Sequence, residues 1–188
     1  MEMHHHVWDT AAALRLLDKR REQSENAAFL KSVLGSGKRI IADLGCGSGF
    51  YAEKLRPFAS KLYCIDSSKA MLSVARRTVH GKNVVFLKED SSKTSLPDSS
   101  VDMVFMANSF HDMDRSNTSA EVIRMLKPRG EIIVVDWKKG AAQGRKKRQG
   151  PPDNLRMSEA EYLRWFPGFR TTLKFKAGTD HFGILLAR

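Results

Sequence analysis

Apolar positions along the chain follow two rhythms. Short runs rich in Ile, Val, Leu and Phe occur at 39–44, 61–65, 84–87, 101–107 and 131–135, the length and composition of buried strands. Between them, 50–55, 69–79 and 119–126 carry apolar residues at helical spacing, and so does 9–34, where Ala11, Leu14 and Leu17, then Ala28, Phe29 and Val33, form stripes that Gly35 and Gly37 interrupt. Thr118 and Glu121 form a capping-box pattern, and Lys127-Pro128-Arg129-Gly130 is expected to end that helix. Strands alternating with helices predict parallel βαβ units in a doubly wound sheet. The rhythm stops at 138–150, which reads as a loop before Pro151-Pro152. A second capping box, Ser158 with Glu161, opens a short helix, and 169–175 and 181–186 are expected to pair antiparallel at one edge.

Composition narrows the picture. The 188 residues suit one domain, and a hydrophobic fraction of 41% supports a full core. No apolar run approaches the roughly 20 residues of a membrane helix, and no apolar stretch follows the first basic residues as a secretory signal would require. A cytoplasmic protein is expected. The two cysteines, Cys46 and Cys64, read as reduced core thiols, and no metal site is expected. The net charge of +11 is partly local: Lys138, Lys139, Arg145, Lys146, Lys147 and Arg148 lie together without an acid, and Arg15, Lys19, Arg20 and Arg21 form a second cluster. Such stretches attract nucleic acid or form solvated surface, and no aromatic residue for base stacking interrupts the first. His4, His5 and His6 read equally as native sequence or as a tag.

The chemistry concentrates after the first strand. Ile40-Ile41-Ala42-Asp43-Leu44-Gly45-Cys46-Gly47-Ser48-Gly49 is a buried strand running into a glycine turn and a helix start. Glycines there let the backbone approach a ligand, at the strand end where such sheets bind them. A dinucleotide fingerprint would space its glycines G-x-G-x-x-G, but Phe50 stands at the third position. Asp43 before the turn would repel a pyrophosphate and suits an ammonium, which favours a cofactor bearing an amino acid over NAD. Asp66 ends the second strand, where a carboxylate can hold both ribose hydroxyls or cap the helix that contains Met71.

Asp43-Leu44-Gly45-Cys46-Gly47-Ser48-Gly49 resembles the first motif of class I S-adenosylmethionine-dependent methyltransferases, and within them the chain is similar to the type 11 group, related to ubiquinone/menaquinone C-methyltransferases. Further matches are Lys88-Glu89-Asp90-Ser91, Leu96-Pro97-Asp98 with Val101-Asp102, Ala107-Asn108-Ser109-Phe110-His111, and Met125 to Gly130. Gly150-Pro151-Pro152, Phe169 and Asp180-His181-Phe182 resemble the C-terminal part of small members. The resemblance spans roughly 38–187, with His6 to Asp9 included, and implies an α/β fold: a Rossmann-like seven-stranded, mostly parallel sheet with an antiparallel C-terminal edge hairpin and helices on both faces. Residues 38–188 would be the methyltransferase domain, and 1–37 a helical lid segment of it.

The resemblance also implies site roles. Gly45, Gly47 and the backbone at Cys46 would line the methionine part of S-adenosylmethionine, with Asp43 near its ammonium and Gly49 closing the turn. Asp66 would hold the ribose hydroxyls, Ser67 and Met71 would flank the adenine, Asp90 and the Ser91 backbone would meet its edge, and Asn108 would lie beside the methionine end through its backbone. Tyr51 is expected to close over the cofactor, and His6 to Trp8 to serve as a lid. His111 follows the fourth strand, where a near-neutral imidazole would suit a general base; a structural histidine is the other reading, and His181 is read as structural. A small-molecule acceptor leads, since arsenite would call for more thiols. An RNA or protein acceptor reached through 138–150, and a non-catalytic binding module, remain open.

Overall fold

The computed structural model describes Glu25, 27–140 and 150–188. The N-terminal part of the expected first helix, the His6 to Trp8 lid, the Arg15 to Arg21 cluster and most of the basic stretch lie outside these residues. Within them, helix α1 (Phe29–Leu34) leads into β1 (Arg39–Leu44), α2 (Phe50–Leu55), a short 3-10 turn (Arg56–Phe58), β2 (Ala59–Ile65), α3 (Lys69–Thr78) and β3 (Val84–Leu87). The second half is β4 (Val101–Ala107), a 3-10 turn (Phe110–Asp112), α4 (Arg115–Met125), β5 (Leu126–Trp137), α5 (Glu159–Trp165), β6 (Arg170–Lys176) and β7 (His181–Ala187).

The seven described strands form one sheet in the order β3-β2-β1-β4-β5-β7-β6. β1 to β5 are parallel; β7 runs antiparallel to β5, and β6 antiparallel to β7. This is the expected α/β sheet with its antiparallel edge hairpin. The strand order reverses between β1 and β4, and doubly wound sheets take ligands beyond the carboxyl ends of such a pair.

The period-two alternation of strands divides the core. Ile41, Met103, Phe105, Ile133 and Val135 face one layer, packed on Phe29, Leu30 and Leu34 of α1 and Phe50, Ala52 and Leu55 of α2. Ala42, Leu44, Val104, Met106, Ile132 and Val134 face the other, packed on Val122 and Met125 of α4 and Tyr162 of α5. Burial on both faces explains why these strands read as continuous apolar runs. Each fully buried side chain such as Phe105 contributes roughly 1.5–3 kcal/mol.

Two local expectations are corrected. Helix α4 starts earlier than 119, because Asp114 caps it by accepting the Asn117 N–H at 3.1 Å. Glu121 is thereby freed from a capping box and accepts the Thr94 N–H and hydroxyl, each at 2.7 Å. Lys127 to Gly130 do not cap the helix; they lie in β5, whose pairing with β4 shifts register between Val101 and Met103. The Ser158–Glu161 capping box is present, with both reciprocal bonds made.

Candidate active site

The glycine turn begins where β1 ends. The N–H groups of Gly45 and Cys46 donate to the Ile65 carbonyl at 2.8 and 3.1 Å, so the turn is fastened to the end of β2. Gly45, Gly47 and Gly49 have φ of 68°, 55° and 89°, a left-handed region that favours glycine. At Gly45 space is also decisive, because a Cβ would lie 2.6 Å from Ser109 Cβ. Gly47 differs: a Cβ there would meet nothing nearer than the Met71 sulfur at 4.0 Å, so its backbone borders open space. Asp43 is 2% exposed at the end of β1.

Asp66 ties this turn to the next helix. One carboxylate oxygen accepts the Gly47 N–H and the other the Ser68 N–H, both at 2.8 Å. Each oxygen keeps a second lone pair for a further donor. Burial raises the Asp66 pKa, and the two N–H groups oppose that shift. Capping of α3 falls instead to Ser68, whose hydroxyl accepts the Met71 N–H at 3.2 Å. Ser67 is exposed and Met71 buried. Asp90, beyond β3, is exposed and heads a tight turn, where Oδ1 accepts the Ser92 N–H and hydroxyl at 2.8 Å each; Ser91 beside it is buried. Asn108, at the end of β4, has φ 54° and donates its N–H to the Val135 carbonyl at 2.9 Å, while its buried side-chain oxygen has no hydrogen-bond partner.

These features fit an adenosine with an amino-acid tail. The left-handed turn brings backbone close to open space, Asp66 offers two acceptors to a pair of hydroxyls, and the Asn108 amide oxygen awaits a donor. Two thiols also meet here: the hydrogen bond between Cys46 and Cys64, then burial, pushes the Cys46 thiol well above its usual pKa, as do the nearby Asp43 and Asp66 carboxylates. Both are free and buried, so neither is poised as a nucleophile.

Not every predicted residue joins this group. Tyr51 is buried in the core, with ring centroids 5.1 Å from Phe50 and Phe105, instead of lying over the turn. The Leu96-Pro97-Asp98 and Asp102 matches are scaffolding. Asp102 accepts the Ile40 N–H and the Lys127 ammonium, each at 2.7 Å, at the opposite end of the strands. Arg124 binds Asp98 at 2.5 Å and Glu121 at 2.6 Å, and its hydrogen bond to Glu121 holds that carboxyl down at about 2.

His111 lies in the turn after β4, with its ring between two carboxylates. Nδ1 is 3.5 Å from both oxygens of Asp136, and Nε2 is 3.4 Å from Asp112. Asp136, 1% exposed near the end of β5, also accepts the Trp137 N–H at 2.8 Å and the Tyr162 hydroxyl in a short hydrogen bond. Burial disfavours the imidazolium, but the Asp112 and Asp136 carboxylates outweigh it and push the His111 pKa up to about 9. That direction runs against the near-neutral value expected of a base. Sequence reasoning missed Asp136 and Tyr162. The available signal was an acid directly after the apolar run 132–135, at the ligand-binding edge.

The basic stretch leaves and re-enters this same end of the sheet. Gly140 N–H donates to Asp153 at 2.6 Å, the buried Arg156 side chain donates to the carbonyls of Lys138 at 3.1 Å and Pro151 at 3.0 Å, and Gly150 lies against the Trp137 ring. Among the described residues no helix is long and apolar enough to cross a membrane, and no group of His, Cys, Asp and Glu could hold a metal ion.

Comparison with known proteins gives the same picture. Residues 42–134 match a methyltransferase domain model of type 11. The crystal structure of a Sulfolobus solfataricus protein assigned to the type 11 methyltransferases is 38% identical, covers 88% of this chain and 93% of its own, and superposes with a TM-score of 0.77. A SAM-dependent methyltransferase from Aquifex aeolicus is 28% identical, covers 95% and 98%, and has a TM-score of 0.81. The 27-O-demethylrifamycin SV methyltransferase of Amycolatopsis mediterranei is 27% identical over 147 residues, 72% of this chain and 51% of that protein. The chain spans about half the length of the curated relatives it matches. With 38% identity across nearly the whole of a solved relative, and the glycine turn inside the matched domain, the chain belongs to the type 11 group of class I S-adenosylmethionine-dependent methyltransferases.

Proposed function

We propose that this chain is an enzyme that transfers a methyl group from S-adenosylmethionine to a small-molecule acceptor. S-adenosylmethionine supplies a methyl group on a sulfonium, open to in-line displacement. Asp66 accepts the ribose hydroxyls, and the backbone at Gly45, Cys46, Gly47 and Gly49 lines the amino-acid tail, with Asp43 and Asn108 taking its donors. Ser67, Met71, Asp90 and Ser91 border the adenine. The chain contributes position and exclusion of water. The observation that carries this reading is the left-handed turn whose Gly47 N–H is fixed on Asp66 at 2.8 Å beside open space.

The small-molecule acceptor is supported by the rifamycin-modifying relative. RNA is the second reading, supported by the six basic residues from Lys138 to Arg148. Steep loss of RNA binding with salt in a gel shift would favour it. The two free thiols fit a reducing compartment, the cytoplasm.

Calorimetry with S-adenosylhomocysteine is the direct test. One-to-one binding, weakened at least about tenfold in Asp66→Ala, with no heat from NAD, is the expected result. Preference for NAD, or no nucleoside binding, would overturn the proposal and leave a non-catalytic module of the same fold.

A further inference from the structure

The donor-side residues leave unused a cluster of ionisable groups at the carboxyl ends of β4 and β5. Among the described residues, the groups around His111 are Asp112 on its own turn and Asp136 from β5 at the ring, Tyr162 from α5 through Asp136, and Arg115 of α4, which donates to the His111 carbonyl at 3.3 Å. A neutral imidazole donates from one nitrogen only and would turn a lone pair on the other carboxylate. Two carboxylates at 3.4 and 3.5 Å, one on each nitrogen, are both satisfied only by the cation.

The two carboxylates are not equivalent. Asp136 is 1% exposed and held by the Tyr162 hydroxyl and the Trp137 N–H. Such a buried charge is tolerable only when paired, and it cannot swing away. The Asp112 side chain is 41% exposed on a single 3-10 turn. The inner anion is buried and the outer one reaches solvent.

We infer that Asp136 is a positioning residue that holds His111 as an imidazolium, and that the outward Nε2–H receives an anionic oxygen of the methyl acceptor in the place Asp112 holds in this structure. This rests on the methyl-transfer reading. The acceptor class is a carboxylate, phenolate or enolate. Such an oxyanion forms its O–C bond with its own lone pair while the donor C–S bond breaks with its electrons on sulfur, so no proton leaves and no base is needed. The raised His111 pKa agrees with a ring that keeps its proton.

Histidine side-chain NMR on the full chain tests this, with His111 assigned by comparison with His111→Gln. The wild-type imidazole is expected to stay protonated on both nitrogens past pH 8. Asp136→Asn should lower its midpoint by at least about two units, because burial then acts with less opposition. Asp112→Ala should lower it by about one unit, and acetate should raise it again where sodium chloride of equal ionic strength does not. A wild-type midpoint at or below 6.5, or one unmoved in Asp136→Asn, would overturn the positioning role. Acetate acting no better than chloride would overturn the oxyanion. If Asp136→Asn does not fold, the wild-type midpoint and the Asp112→Ala series still decide. S-adenosylhomocysteine calorimetry on the wild type separates the two levels: no binding sinks the methyltransferase reading and leaves the His111 midpoints standing.

Discussion

The proposed donor end and the proposed acceptor end of this site sit on neighbouring strands but are held by different means. At the donor end the backbone does the holding: the Gly45 and Cys46 N–H groups meet the Ile65 carbonyl, and Gly47 N–H meets Asp66. At the acceptor end side chains from separate elements do it, with His111, Asp136 and Tyr162 drawn from the 3-10 turn after β4, from β5 and from α5. A backbone device is written in a few consecutive residues and fails through conformation. A side-chain device is spread over the chain and fails through unpaired charge.

The sharpest way to separate the ends is Asp136→Ala. Removing the shared acceptor strands a buried imidazolium, a hydroxyl and an N–H, which should cost about 3–5 kcal/mol and lower the melting temperature by roughly 10 °C. Where the variant still folds, its affinity for S-adenosylhomocysteine should stay within about threefold of wild type; a complete loss in folded protein would show the ends to be one unit. The converse change is Gly45→Ala. Its φ of 68° and the 2.6 Å approach to Ser109 predict about 2–3 kcal/mol of strain and a loss of at least about tenfold in S-adenosylhomocysteine affinity. The His111 ring should remain protonated there.

A pH series refines the contrast. His111 has a folded pKa of about 9 against 6.5 in the unfolded chain, so its contribution is fully present below 6.5 and is lost as pH rises through 9. Allowing for solvent screening at the exposed Asp112, urea unfolding at pH 6 and pH 9.5 should differ by about 2 kcal/mol more in wild type than in His111→Gln. Equal differences would show that the carboxylates do not hold the proton. The smallest effect is expected from Ser158→Ala, which opens the capping box of α5 for about 1 kcal/mol. Because α5 carries Tyr162, that loss should loosen the acceptor end and spare donor binding.

The same contrast explains what the sequence made legible. The Asp43 to Gly49 turn and Asp66 could be read because their partners lie close by or at a fixed strand end. The α/β order and the edge hairpin followed from periodicity. Thr118 with Glu121 has the form of a capping box, but Asp114 takes the cap and Glu121 is drawn to Thr94 and Arg124, a long-range competition that no local pattern contains. Tyr51 sits beside the glycine turn in sequence, but the inward face of α2 buries it against Phe105. Asp136 gains its meaning only once α5 brings Tyr162 to it.

The stapling of Gly140 to Asp153 and of Arg156 to Lys138 has a consequence for how this protein can vary. Where two ends of an excursion are already clasped by the body of the fold, the entropy of closing the span grows only with the logarithm of its length, about 0.6 kcal/mol per doubling. Residues 141–149 can thus be shortened or lengthened at little thermodynamic penalty, while the sheet and its glycine turn stay as they are.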